Sequence, residues 1–275
     1  MTTDPSATGP GSTFKPQEAT VAGTYAALRG SKNPLDPSRT AGDGIAKEVP
    51  NVDLVVEENA AALVRAVEHL ARAGHDRFAD LGGGIPEQEL DRRKLPDLCM
   101  VAARHQPGRR WLMLDSDVLA IMHSTQLYGK LPGMAVVQQD LRRTDAVVKA
   151  LEAHLGHDKP IVAILGAVLH FLTDHEVTAL MAALRTFLPP GSVVVVTHAT
   201  STGVDPDMVV NGSARYEKET GVPIYLRAKE DITAYADGLE LLPPGVVPTP
   251  SFLPPRPEGP PPKEAPYFLM WMARK

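Results

Sequence analysis

The sequence is poor in the features that would make its chemistry obvious. It has one cysteine, Cys99, so no intrachain disulfide and no cysteine-based zinc cluster can form. A reducing, cytoplasmic setting is expected. No apolar run reaches the roughly 18 residues of a membrane span. The first residues, MTTDPSATGPGSTFKPQ, lack both a basic start and an apolar core, so no signal peptide is expected. Charge of one sign is also scarce: 28 Lys and Arg against 33 Asp and Glu give a net charge of −5. That balance argues against a general nucleic-acid or anionic-membrane binder. There is no phosphate loop of the form G-x-x-x-x-G-K-[ST] and no G-x-S-x-G elbow. His175-Glu176 does not begin a zinc-protease motif, because Ala179 stands where the second histidine belongs. Only 14 aromatic residues are present, with no evident stacking cage for a substrate.

Proline, in contrast, is abundant: 26 in 275 residues, about twice the usual share. Eleven of them lie between Pro243 and Pro266. A polar tail over 1–18 is expected to be disordered. A mixed segment over 19–56 follows, with a short helix at 21–28 and then a loop. From residue 57 strands and helices alternate. RFADLG (77–82), RWLMLD (110–115), AVVQQD (135–140), PIVAILGAVLHFL (160–172) and SVVVVTHA (192–199) read as strands. Helices are expected over 57–73 and 174–188, the second with a Thr173/Glu176 capping pattern. Two more are expected over 206–220 and 229–237. Alternation of this kind builds a parallel sheet with helices on both faces. The segments 239–247 and 267–275 read as an antiparallel pair joined by the proline-rich connection. The fold class expected is α/β. It is a Rossmann-like, seven-stranded, mostly parallel sheet with a C-terminal antiparallel hairpin and an N-terminal helical lid over 19–56.

Chemistry concentrates at the strand ends. Asp80-Leu81-Gly82-Gly83-Gly84 follows the first strand, where glycines let backbone amides approach a ligand closely. The dinucleotide fingerprint fails at its third glycine, which is Glu87; an acid there opposes a pyrophosphate and disfavours nicotinamide or flavin cofactors. Asp115 ends the second strand, where an acid can accept hydrogen bonds from a ribose diol. Asp140 and Leu141 close the third. Each acid alone could equally be a helix cap or a solvated loop residue. Three in order at successive strand ends are hard to ascribe to chance.

These residues resemble the class I S-adenosylmethionine-dependent methyltransferases, and more narrowly the bacterial S-adenosyl methyltransferase family once catalogued as DUF574. The resemblance spans about 20–275 and rests on TYAALRGSKN, FADLGGGIP, MLDSD, VVQQDLR, AILGAVLHFL, VVVVTHAT and the closing Tyr267 strand. It implies S-adenosylmethionine as cofactor and S-adenosylhomocysteine as product. By position, Asp80, Gly82, Gly83, Gly84 and Gly166 would hold the methionine part. Asp115 would hold the ribose, and Ser116, Asp117, Asp140 and Leu141 the adenine. Tyr25, Lys32, Asn33 and Asn59 would belong to the lid and first helix. His170 and His198, at the ends of strands four and five, are candidate bases, with hydrogen-bonded structural roles as the alternative. Tyr216 and Arg227 are candidate substrate contacts.

The chain departs from the family's pattern in Ala26, in Gly30-Ser31-Lys32-Asn33, in Glu57-Glu58-Asn59-Ala60 and in Glu87. Strand four ends without the acid of metal-dependent O-methyltransferases, and the Asn/Asp-Pro-Pro-aromatic string of DNA amino-methyltransferases is missing. No metal and no nucleic-acid substrate are expected. The expected activity is methyl transfer to a small molecule, such as a secondary metabolite. The alternative keeps the cofactor without methylation, as a cyclase, another biosynthetic enzyme or a nucleoside sensor. Homodimer formation stays open.

Overall fold

A computed structural model describes residues 15–87, 95–253 and 268–275. Five strands run parallel: β1 (Arg77–Leu81), β2 (Arg110–Asp115), β3 (Met134–Gln138), β4 (Val162–Gly166) and β5 (Val193–Ala199). Three more complete the sheet: β6 (Glu240–Leu241), β7 (Val247–Pro248) and β8 (Phe268–Arg274). The order is β3-β2-β1-β4-β5-β8-β6, and β7 also pairs with β8. Strand β8 lies antiparallel to β5, β6 and β7.

Nine helices accompany the sheet among the described residues: α1 (Val21–Leu28), α2 (Asp36–Glu48), α3 (Val52–Arg72), α4 (Leu98–His105), α5 (Val118–Tyr128), α6 (Thr144–Leu155), α7 (Asp174–Phe187), α8 (Pro206–Thr220) and α9 (Lys229–Ala234). All seven residues of β5 are buried, as a strand covered on both faces requires. The period of two sorts its side chains between two cores. Val194 and Val196 join Leu112, Leu114 and Trp271 on one face. Val193 and Val195 join Trp111, Met113 and Met270 on the other.

Several elements differ from the sequence reading. Among the described residues the sheet has eight strands, not seven, because the segment expected as one strand over 239–247 is interrupted. Pro243-Pro244 lies between β6 and β7, where the missing proline N–H groups cannot join a ladder. Strand four stops at Gly166; the apolar run continues as a 3-10 turn over Leu169–Phe171, so His170 lies in that turn. His198 is the penultimate residue of β5. Helix α2 occupies the expected loop, with Pro37 in its first turn, where proline favours a helix. Helix α3 begins at Val52, so the expected lid boundary after residue 56 falls inside it. The capping box of α7 forms as read, with Thr173 and Glu176 bonded reciprocally. Residues 1–14 of the expected tail, residues 254–266 of the proline-rich connection, and Tyr267 lie outside the described residues. Among the described residues no helix is long and apolar enough to cross a membrane.

The sheet order reverses between β1 and β4, and a crevice forms beyond their carboxyl ends. Open α/β sheets bind their ligands at such a switch point.

Candidate active site

A cavity of about 630 Å³ fills that crevice. Pockets that enclose a small molecule span roughly 300–1,000 Å³. Its walls come from the turn after β1, the ends of β2 and β4, the residues after β3, and the inner side of α1.

The turn after β1 is fastened to β2. The Gly82 and Gly83 amides both donate to the Leu114 carbonyl, at 2.8 and 3.2 Å. Gly82 has φ +83°, and a Cβ there would sit 2.6 Å from Val168 Cγ2. Gly84 has φ +68° with open space where a Cβ would go. Its amide donates to Asp115 Oδ2 at 2.8 Å, and the Asp117 amide donates to Oδ1 of the same carboxylate at 2.8 Å. Asp117 caps α5 through Oδ1, which accepts from the Leu119 amide at 2.7 Å. Its Oδ2 is buried with no hydrogen-bond partner among the described residues. Ser116 is exposed on the rim and Leu141 is buried in the wall. The Asp140 carboxylate is gripped by Arg142, with Nε 2.9 Å from both oxygens and Nη2 2.6 Å from Oδ2. At the end of β4, Gly166 admits Leu63, whose Cδ1 would lie 2.7 Å from an added Cβ. Ala167 follows with φ +54°, and its amide is held by Thr197 Oγ1 at 2.9 Å.

The cavity is acidic. Burial raises the Asp80 carboxyl to about 8, and the nearby Asp97 and Asp115 add to the rise. Burial also raises Asp115, to about 6, against the stabilising amide bonds from Asp117 and Gly84. Asp140 behaves differently. Burial alone would raise it, but the hydrogen bonds from Arg142 bring it below the usual carboxylate range. Asp80 and Asp115 therefore face the cavity short of positive charge. Asp97, which the sequence reading passed over, caps α4 and lines the same cavity.

Not every expected site residue reaches the cavity. Tyr25 lines it, and its hydroxyl accepts from Asn59 Nδ2 at 2.7 Å and donates to the Val56 carbonyl at 3.3 Å. Asn59 is fully buried behind it. Asn33 ties the segment before α2 to the glycine turn by donating to the Pro86 carbonyl at 3.2 Å. Lys32 is exposed, and its carbonyl accepts from Arg39 Nη2 at 2.7 Å. Lys32, Asn33 and Asn59 line no part of the cavity.

The two histidines are also absent from its walls. His170 is buried in the 3-10 turn, where Nδ1 accepts from the Ala199 amide at 3.4 Å and the ring meets Phe171 edge-on. His198 is fully buried and bonded to the Ala199 carbonyl through Nδ1 at 2.7 Å. Burial pushes both pKa values down, that of His198 to about 4. Neither is placed as the base expected from its position in sequence. Tyr216 is buried on α8 against Ile45 and Val49, its ring stacked on Phe171 at 5.5 Å. Arg227 is buried too, with its donors committed to protein partners. Neither lines the cavity. Phe171, next to His170, joins Tyr25 as an aromatic side chain in the cavity wall.

Residues 9–274 match the family described as S-adenosyl methyltransferase. The chain belongs to that family. Its cofactor is accordingly S-adenosylmethionine. Two solved structures are similar over nearly the whole chain. One is a methyltransferase candidate from Thermobifida fusca YX, with 28% identity, 94% of this chain and 96% of that one covered, and a TM-score of 0.84. The other is a DUF574 family protein from Streptomyces avermitilis MA-4680, with 26% identity, 94% and 98% coverage, and a TM-score of 0.82. The N-methyltransferase NodS from Bradyrhizobium japonicum WM9, solved with S-adenosylhomocysteine, shares the fold at 13% identity, 92% and 98% coverage, and a TM-score of 0.51. No curated protein sequence matches the chain.

The family's cofactor fits what the cavity offers. A sulfonium and an ammonium supply the positive charge that Asp80 and Asp115 lack, and the buried Asp117 Oδ2 awaits a donor. Among the described residues no cluster of three His, Cys, Asp or Glu side chains is arranged to hold a metal ion.

Proposed function

We propose that this S-adenosyl methyltransferase methylates a small molecule with an apolar, uncharged body. One observation carries the reading: the lining joins carboxylates at the ends of β1, β2 and β3 to apolar side chains around α1 and after β4. Val21 and Ala22 of α1, Phe171 and Leu172 after β4, and Val222 after α8 supply the apolar part, and Lys15, Glu18 and Arg29 also stand in the wall.

In this reading Asp115 accepts the ribose hydroxyls, while Ser116, Asp117, Asp140 and Leu141 surround the adenine. Asp80, the three glycines and Gly166 hold the methionine part. Tyr25 covers the cofactor, and Asn59 orients the Tyr25 hydroxyl from behind. Lys32 and Asn33 act on the segment before α2, outside the cavity. Bound S-adenosylmethionine supplies a methyl group on a sulfonium, which is electrophilic without further activation. The protein's part is alignment. Holding a nucleophile at near-attack distance supplies much of the rate in such transfers, so no single general base is required. The apolar walls exclude water from the acceptor, and Phe171 offers a face for a ring to stack on. Acidic side chains outnumber basic ones in the lining, which favours neutral or cationic acceptors over carboxylates, phosphates and nucleic acids.

The test is incubation with methyl-labelled S-adenosylmethionine and a panel of phenols, aromatic amines, aliphatic amines and aromatic carboxylates. Label is expected on the uncharged aromatic members and none on the carboxylates. Tight cofactor binding with no S-adenosylhomocysteine formed across the panel would favour a protein that uses the cofactor without methylating.

A further inference from the structure

We propose that Arg227 is a positioning residue that fixes the acceptor-facing wall of the cavity from behind. The proposal rests on the reading of Phe171 and Leu172 as that wall.

The 3-10 turn over Leu169–Phe171 is too short to hold itself, since a single tight turn has few internal bonds. Arg227 grips it on both sides. Nη1 donates to the Leu169 carbonyl at 3.3 Å and Nη2 to the Leu172 carbonyl at 2.6 Å. Nε is bonded to Asp174 Oδ1 at 2.8 Å, at the start of α7. Nη1 also lies 3.0 Å from His198 Nε2 on β5. The planar guanidinium fork suits this task, because its donors point in fixed directions in one plane.

The contact with His198 fixes a proton. A guanidinium only donates, so His198 Nε2 is the acceptor and its ring proton sits on Nδ1. That proton points at the Ala199 carbonyl, 2.7 Å away. His198 is thus locked neutral in one tautomer between Arg227 and the backbone of β5. The next amide, Ala199, donates to His170 Nδ1 at 3.4 Å within the gripped turn. The chain Arg227–His198–Ala199–His170 therefore links β5 to the turn that presents Phe171. Stacking of Phe171 on Tyr216 completes its orientation. None of Arg227, His198, His170 or Tyr216 lines the cavity, so they act through the wall and not on the ligand.

The experiment uses the full chain labelled with 4-fluorophenylalanine, with the Phe171 ¹⁹F resonance assigned by Phe171→Leu. Wild type should give a single narrow line for Phe171. Arg227→Gln should broaden or split it while leaving the other lines in place, and the S-adenosylhomocysteine Kd should change less than threefold. His198→Leu, which removes the acceptor for Nη1, should act in the same direction. His198→Gln, whose Oε1 can accept from Arg227, should keep the narrow line. For any phenol or aromatic amine methylated in the panel above, Arg227→Gln should raise its KM at least tenfold with cofactor Kd unchanged. An unaltered Phe171 line in soluble Arg227→Gln or His198→Leu overturns the proposal. So does an unchanged acceptor KM, or a loss of cofactor binding with all lines moving together, which would mark Arg227 as a support of the whole domain. If Arg227→Gln fails to fold, the contrast between His198→Leu and His198→Gln decides. An inactive protein that still shows the Phe171 effect would count against the acceptor reading and leave the clamp standing.

Discussion

Asp115 Oδ2 accepts the Gly84 amide at 2.8 Å, so the acid ending β2 holds the glycine turn that follows β1. The side chain is a brace, and in the proposed reading it is also the ribose acceptor. Asp115→Ala removes both the ribose acceptor and the partner of the Gly84 amide. We expect S-adenosylmethionine affinity to fall at least tenfold, about 1.4 kcal/mol. Asp115→Asn keeps one oxygen and should lose less. Calorimetry on the two variants checks the order; equal affinity to wild type in both would remove the assignment.

The two glycines of the turn separate backbone strain from crowding. Gly84→Ala places a Cβ in open space at φ +68°, so its cost is that of a left-handed residue, about 1–2 kcal/mol. Gly82→Ala adds a clash with Val168 at 2.6 Å to the same strain. Thermal melts should therefore show Gly82→Ala as clearly the less stable of the two. A reversed order would mean that the turn relaxes around Val168.

Asp80 should make stability depend on pH in an uncommon direction for a carboxylate. Its folded pKa, about 8, lies above the unfolded value near 3.8. The folded state thus binds the extra proton between those values, and stability is lost as pH rises through the window. Asp80→Asn removes this effect. The ligand-free variant should gain melting temperature relative to wild type as pH goes from 5 to 8, while binding the cofactor more weakly. A constant difference across that range would contradict the assignment.

The buried histidines act oppositely. His198 has a folded pKa of about 4 against 6.5 unfolded, so the unfolded chain takes up the proton first. Stability contributed by the neutral ring is full above about 6.5 and declines as pH falls toward 4. His198→Gln does not titrate there. Its melting temperature deficit at pH 7.5 should shrink at pH 5, and a deficit that is the same at both would contradict a locked neutral ring.

The strands and the glycine turn were legible because local pattern determines them. RWLMLD became β2 with its bounds unchanged, and the Thr173/Glu176 box placed the start of α7. Boundaries failed where one signal has two meanings. The stretch after 21–28 read as loop, but Pro37 sits there in the first turn of α2. The apolar run through Leu172 read as strand, yet a buried 3-10 turn needs the same composition. Of the site, the acids at strand ends were legible because a parallel sheet aims those positions into the crevice. His170, His198, Tyr216 and Arg227 stand outside the cavity lining because sequence position fixes where a backbone passes, not which way a side chain turns. Each is buried within the fold. Phe171, one residue from His170, faces the cavity instead.

Isothermal titration of the full chain with S-adenosylmethionine and S-adenosylhomocysteine tests the central claim most directly. We expect one site per chain for both ligands, with binding lost on blocking the Asp115 end of the cavity. No heat from either nucleoside at millimolar concentration, with the protein folded, would contradict it.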